Sequence, residues 1–323
     1  DIETILPKFL EFCQGAVMVA HNAEFDRTFT TRHPSGYPLL DNIWIDSLDL
    51  ARIALPRMRS HRLIDLVKAF GAPTSTRRAD DDVAATCALF RILLAAVHEM
   101  PPALVKCIAL LAPVEQWNTA VVFQYFAQPE AKPFSLKELR HESMTSYEQR
   151  PRIDAKMIQT MEYPTEEDIA QAFSPTGIVG KLYVDFDPRE EQLTMAQEVR
   201  AALEASENLI VEAGTGVGKS MAYLVPAVLI AKKNNIAIGV ATKTNALLDQ
   251  LVYHELPALA QSLGDVTYAP LKGFSHYPCL RKVNRFVKEG VKMVDAQGTE
   301  HSQAPSLGAL LSFIDQTDYD DMD

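Results

Sequence analysis

The chain has 323 residues, 47% of them hydrophobic and 23% charged, and carries a formal net charge of −11. That length suits about two domains, each large enough for its own core, and the ordinary composition excludes a disordered, collagen-like or disulfide-scaffolded protein. The acidic balance excludes a protein that coats nucleic acid through its overall charge, so any such contact must come from local patches. Cys13, Cys87, Cys107 and Cys279 show no paired spacing, which fits a reducing, cytoplasmic setting. The longest apolar run, around Met221 to Ala231, is too short to span a bilayer, so no membrane partner is expected. The start at Asp1 without methionine and the acidic stop TDYDDMD read as the ends of a piece of a longer protein.

The first stretch reads as α/β. Ile5 to Phe12 has the pattern of a short amphipathic helix, Ala16 to Ala20 that of a buried strand, and the strand runs into His21-Asn22-Ala23-Glu24-Phe25-Asp26. A second strand is expected at Ile43 to Asp46, and a helix over His61 to Phe70. Arg77-Arg78-Ala79-Asp80-Asp81-Asp82 then opens a long helix with Val83, Cys87, Phe90, Leu93 and Leu94 on its apolar side. His61 is expected to face solvent, and Cys13 and Cys87 to be small core residues.

HNAEFD and RADDDVAAT resemble the second and third motifs of the DnaQ-like, DEDD-type 3′→5′ exonucleases, which have an RNase H-like fold. The resemblance implies that residues 1–97 form such a domain, with Asp26 and Asp82 as catalytic, Mg²⁺-binding carboxylates and His21 and Asn22 near the nucleic acid. The family's histidine base sits five residues before the later carboxylate, where this chain has Arg77. An arginine stays protonated and cannot accept a proton from water, so Arg77 cannot act as the general base that the resemblance implies at this position. Asp1-Ile2-Glu3-Thr4 spells the family's first motif, but it lacks a strand's apolar run and leads straight into a helix. It reads as a helix start, and the domain as lacking its first motif.

Residues 98–185 read as a helical connector: Pro101 and Pro102 break the preceding helix, Ala103 to Leu111 form another, and helix starts recur at Ser135 and Pro164. No chemistry is legible there. Residues 186–323 begin with Arg189 and Gln192 ahead of an amphipathic helix from Glu191. Leu209 to Val211 then reads as a buried strand, Glu212 to Gly218 as a glycine-rich turn, and Ser220 onward as an apolar helix. Ala213-Gly214-Thr215-Gly216-Val217-Gly218-Lys219-Ser220 has the spacing of a P-loop, in which backbone N–H groups surround nucleotide phosphates, Lys219 adds charge and the Ser220 hydroxyl ligates Mg²⁺. Ile236 to Ala241 reads as a second buried strand, ending at Thr242-Lys243-Thr244-Asn245 before a further helix, the βαβ order of a RecA-like ATPase.

Here too the chain resembles a known family. Arg189 and Gln192 match the adenine-reading element of superfamily 2 helicases, and ATKTNALLDQL their backbone-gripping element, with Thr242, Lys243, Thr244 and Asn245 as donors to single-stranded DNA. The stretch from Leu271 to Arg281 resembles the entry to the iron–sulfur domain of DinG/XPD-type helicases, which implies Cys279 as first ligand of a [4Fe-4S] cluster in the intact protein. The cations Arg281, Lys282, Arg285, Lys288 and Lys292 form a basic run that fits a nucleic-acid-facing surface. No Asp-Glu-Ala-His box follows the P-loop.

Together these features resemble an exonuclease-fused DinG-type helicase: an ATP- and Mg²⁺-dependent motor on single-stranded DNA in repair or recombination, incomplete here for both activities. Two other readings stay open: a catalytically silent DNA-docking module in the first part, and a nucleotide-gated regulator in the second. No protein partner is identifiable.

Overall fold

The computed structural model describes residues 2–72, 78–136, 160–264, 266–290, 292–294 and 300–317. The chain packs as two units, Asp1–Gln149 with Phe274–Asp323, and Arg150–Gly273.

In the first unit, α1 (Ile2–Cys13) leads to β1 (Met18–Ala20), α2 (Ala23–Thr30), a 3-10 stretch over Pro34–Asp41, and β2 (Trp44–Asp46). The strands pair in parallel, Met18 opposite Trp44 and Ala20 opposite Asp46. The far edge of β2 meets side chains instead of a third strand: Trp44 N–H donates to Asn118 Oδ1 at 3.0 Å and Asp46 N–H to Thr119 Oγ1 at 2.9 Å. These acceptors satisfy donors that a bare edge would expose. Glu3 and Thr4 lie in the first turn of α1, so this segment begins a helix, as its sequence implies. Asp1 lies outside the described residues.

Five helices follow β2: α3 (Ser47–Ala54), α4 (Leu63–Ala69), α5 (Ala79–His98), α6 (Pro102–Ala109) and α7 (Ala120–Phe126). Their core joins Leu50, Ile53, Leu66, Leu89, Leu93, Leu104, Ile108 and Phe123, all fully buried. The buried face of α5 is Ala85, Leu89, Leu93 and Val97, one residue per turn at a spacing of four. Cys87 and Val83 fall off that stripe and are exposed, which corrects the expectation for both. Cys13 is buried as expected.

The later segment also builds into this unit. Helices α13 (Leu280–Glu289) and α14 (Ala304–Thr317) contribute Val283, Leu307, Leu311 and Ile314 to the same core. Gly308 lies so close to α3 that a Cβ would sit 3.1 Å from Ile53 Cδ1. Between them, β3 (Lys292–Val294) pairs antiparallel with β4 (Glu300–Ser302).

The second unit holds α8 (Glu166–Ala172), α9 (Glu190–Ala205), α10 (Lys219–Asn234), α11 (Asn245–Gln250) and α12 (Leu256–Leu263), with a π turn at Leu251–Glu255 joining the last two. A capping box starts α8: the Thr165 hydroxyl accepts from Asp168 N–H at 3.1 Å, and the Asp168 carboxylate accepts from Thr165 N–H at 2.8 Å. Ile169, Phe173 and Val179 pack against Met221, Leu224, Val225, Leu251 and Leu259. Asn234, at the end of α10, exchanges two hydrogen bonds with the Glu162 backbone, at 2.7 and 2.8 Å.

The RecA-like sheet expected here is not formed among the described residues. Residues 209–211 and 236–241 run without ladder partners, and Ile210 is 97% exposed. A parallel strand is buried only when neighbours pair along both edges and helices cover both faces. Without those partners, the apolar runs at residues 209–211 and 236–241 have no sheet to bury against.

Candidate functional site

Two sets of sequence-selected residues fall in separate units. In the first, both helices that follow β1 and β2 start at one carboxylate. Asp46, at the end of β2, accepts from Asn22 N–H at 3.0 Å, Ala23 N–H at 3.0 Å and Leu48 N–H at 2.8 Å. The acceptor thus caps α2 and α3 together, placing a negative charge at both positive helix ends. Asn22 takes the left-handed conformation, φ 73°, that lets the chain turn from strand into helix within one residue.

His21 is held by its own fold. Its Nε2 donates to His61 O at 2.9 Å, and its Nδ1 lies 3.0 Å from Ser47 Oγ. Burial pushes its pKa below the ordinary value, against the opposing pull of the His61 carbonyl and the Asp46 charge. Ser47 Oγ donates its hydrogen to Ala20 O at 3.1 Å, so the hydroxyl ties the ring to the end of β1. His61 is half-buried, with Nε2 2.9 Å from Leu55 O, which corrects its assignment to solvent. Ser47, Asn118, Thr119 and Asp46 escaped the sequence reading as site-builders. Only Asp46 carried a signal, an aspartate at a strand end just before a helical pattern.

Asp26 lies half-buried in α2, and burial, followed by the Asp46 charge, raises its pKa against its own backbone hydrogen bond. Asp82 lies half-buried in the first turn of α5. Among the described residues, no group of three or more His, Cys, Asp or Glu gathers to hold a metal ion. Asp46 already serves three N–H donors, and the Asp49 carboxyl is pushed up to about 6, chiefly by burial and then by the Asp46 charge. The Trp117 indole and Arg52 oppose that rise, although the Trp117 N–H falls outside hydrogen-bonding geometry. The carboxylates among the described residues do not fit a two-metal centre. Arg77 lies outside the described residues.

In the second unit the segment from Ala213 to Ser220 curls around a lysine. Lys219 Nζ donates to Gly214 O at 2.7 Å and to Ala213 O at 3.2 Å. Gly216 and Gly218 hold φ of 85° and 84°, which only glycine adopts at no steric cost. From α9, Arg189 donates to Gly216 O, and the buried Gln192 amide donates from Nε2 to Gly218 O at 2.9 Å. Thus Arg189, Gln192 and Lys219, chosen separately from sequence, converge on one loop. Thr215 and Gly214 are exposed, Val217 half-buried, and Ser220 follows Lys219 in the first turn of α10. Burial raises the Tyr223 pKa, with a smaller opposing hydrogen bond from Ser220. The turn and its helix fit a phosphate cradle; the parallel strand that should feed the turn is unpaired.

Of the proposed nucleic-acid donors, Thr244 is spent on capping α11, accepting from Leu247 N–H at 3.3 Å, and Thr242 Oγ donates to Thr244 O at 3.2 Å. Lys243 and Asn245 are exposed. Cys279 is an exposed free thiol just before α13. Burial raises the pKa of Cys13, and that of Cys107 to about 11. A cluster needs several thiolates converging, and no such group gathers among the described residues. No single described helix is long and apolar enough to cross a membrane.

Residues 1–90 match the RNase T exonuclease family. Over 299 residues the chain is 27% identical to the 3'-5' exonuclease DinG of Bacillus subtilis (strain 168), covering 91% of this chain and 32% of that protein. The DinG of Staphylococcus aureus (strain bovine RF122) is 26% identical over 298 residues, 88% of this chain and 32% of the relative. The ATP-dependent DNA helicase YoaA of Haemophilus influenzae is 39% identical over 127 residues, 39% of this chain and 19% of the relative. The chain thus spans about a third of the length of the DinG relatives. No solved structure matches it. The resemblance to exonuclease-fused DinG-type helicases is borne out by these matches.

Proposed function

We propose that the chain supplies the nuclease-like and nucleotide-binding parts of an ATP-dependent DNA helicase fused to a 3′→5′ exonuclease, acting on single-stranded DNA in repair or recombination in the cytoplasm. The observation that carries the motor half is the loop closed on Lys219, with Arg189 and Gln192 reaching its carbonyls from α9. A triphosphate would take over the Lys219 ammonium from the Ala213 and Gly214 carbonyls, and the Ser220 hydroxyl would face the accompanying Mg²⁺. Gln192 would keep Gly218 with one N–H and offer its other N–H and its carbonyl to the adenine edge. Calorimetry with Mg·ATP tests this: weak binding is expected in the wild type and none in Lys219→Ala, whereas equal affinity in both rejects the P-loop. Efficient hydrolysis by this chain would contradict its reading as an incomplete motor.

The second reading is a nuclease-like unit that docks DNA without cutting it. The scarcity of gathered carboxylates among the described residues favours it, as does Arg77 where the related enzymes place histidine. In the longer protein, 3′ digestion with Mg²⁺ or Mn²⁺ decides between the two, with Arg77→His measured beside it. A silent wild type revived by that change would mean the base alone is missing.

A further inference from the structure

We propose that α13 carries a phosphodiester-binding stripe that belongs to the nuclease-like unit. The inference rests on reading the chain as a DNA-processing protein, and it assigns the basic run after Cys279 to the nuclease-like unit, apart from the P-loop. The inner face of α13 is used up: Val283 is 3% exposed, and Leu280, Phe286 and Val287 pack against the core shared with Leu89 and Leu93. The outer face shows Arg281, Lys282, Arg285 and Lys288, all exposed. Arg281, Arg285 and Lys288 stand at intervals of four and three, one side of a helix, and span about 10 Å along its axis.

Glu289 is the only acidic residue on the helix; its carboxylate lies 4.0 Å from Arg285, and both side chains are mostly exposed. An exposed pair of this kind contributes little and yields readily to a stronger anion. Four cations within eight residues of a chain with net charge −11 are a local patch of opposite sign. With its apolar side sealed into the core, α13 has no face for a lipid bilayer or a hydrophobic partner groove. What remains is recognition by charge along a line, and the phosphate row of a nucleic-acid strand has that form. Because α13 is anchored on the core of α5, the stripe moves with the nuclease-like unit, and no nucleotide is required for its use.

The test measures anisotropy of a fluorescein-labelled oligothymidine, and separately of a duplex of equal length, against the full chain over a range of salt. Replacing all four cations (Arg281→Ala, Lys282→Ala, Arg285→Ala, Lys288→Ala) should lower the slope of log affinity against log salt by about 2 to 3 on the single strand, at roughly 0.7 for each phosphate no longer neutralised. The double reversal Arg285→Glu with Lys288→Glu should weaken binding further, while the melting midpoint of each variant stays at the wild-type value because all four side chains are exposed. The two oligonucleotide arms identify which form of the backbone is held. An unchanged slope, no oligonucleotide binding by the wild type, or polyglutamate bound as tightly as the oligonucleotide would each overturn the stripe. Failure of ATP binding in calorimetry strikes the motor reading and leaves this result standing.

Discussion

Gly218 and Gly214 look alike in the sequence and differ in what they face. Gly218 starts α10 at φ 84°, and a Cβ there would lie 2.1 Å from Gln192 Nε2, whereas a Cβ on Gly214 would meet nothing within 4 Å. In Gly218→Ala the left-handed backbone costs roughly 1–2 kcal/mol, and Gln192 must also release the Gly218 carbonyl. Urea unfolding of the second unit should therefore shift by that amount, and Mg·ATP binding should fall at least about tenfold, each 1.4 kcal/mol being one decade. Gly214→Ala should leave the unfolding within about 0.5 kcal/mol of wild type. Equal effects of the two changes would mean that Gln192 does not brace the loop. Asp49 gives a second residue-scale expectation. Its folded pKa of about 6 exceeds the unfolded value near 3.9, so the folded state holds the proton more tightly, and stability falls as pH rises from about 4 to about 6. Asp49→Asn should be more stable than wild type by about 1–2 kcal/mol above that window and equal to it below. The depressed His21 pKa works in the opposite sense, withdrawing stability as pH drops below about 6.5, and it cancels between the two proteins. A constant difference across pH would refute the buried-carboxyl account.

The elements divide by how local their signals are. Leu311 on α14 is fully buried against the nuclease-like core, so Leu311→Ala should destabilise the first unit by about 2–5 kcal/mol. Cys87→Ala, on the exposed side of α5, should change it by less than about 0.5 kcal/mol. Chemical denaturation followed by tryptophan fluorescence reads both, since Trp44 and Trp117 are both buried in the first unit and Trp117 stacks on Phe123 at 5.7 Å. Helices α1, α9 and α10 were legible because apolar spacing, and in α9 an acidic first turn, are properties of neighbouring residues. The turn through Gly216 and Gly218 was legible for the same reason. What the sequence concealed is pairing at a distance: whether Leu209 to Val211 and Ile236 to Ala241 find strands beside them, and that Thr119 would meet β2. On α5 the expected Leu93, Phe90 and Leu94 do face the core, while Val83 and Cys87 in its first half do not, because the alanines there support either face and the choice rests with α3 and α4. Asp46 stayed hidden because its importance lies in serving β1's successor helix as well as its own.

At the scale of the whole molecule, chain order and packing order differ. The first unit is assembled from segments on both sides of the second in sequence, Asp1–Gln149 with Phe274–Asp323 around Arg150–Gly273. The packing boundary therefore does not follow the motif boundary: the segment after the P-loop that carries Cys279 and the basic helix belongs with the nuclease-like core. Two units that share no hydrophobic cluster predict two unfolding transitions, and each site should move only its own. A ligand that binds the folded second unit raises its transition by mass action, by about 2.7 kcal/mol at a hundredfold excess over Kd. In a calorimetric scan with saturating Mg·ATP, one transition should rise and Lys219→Ala should abolish the rise. Asp46→Ala strips three backbone N–H groups of their acceptor and should lower the other transition by the equivalent of about 2–4 kcal/mol. Were ATP to raise both transitions equally, or Asp46→Ala to lower both, the two units would unfold as one cooperative body, and nucleotide binding would be felt directly in the nuclease-like core.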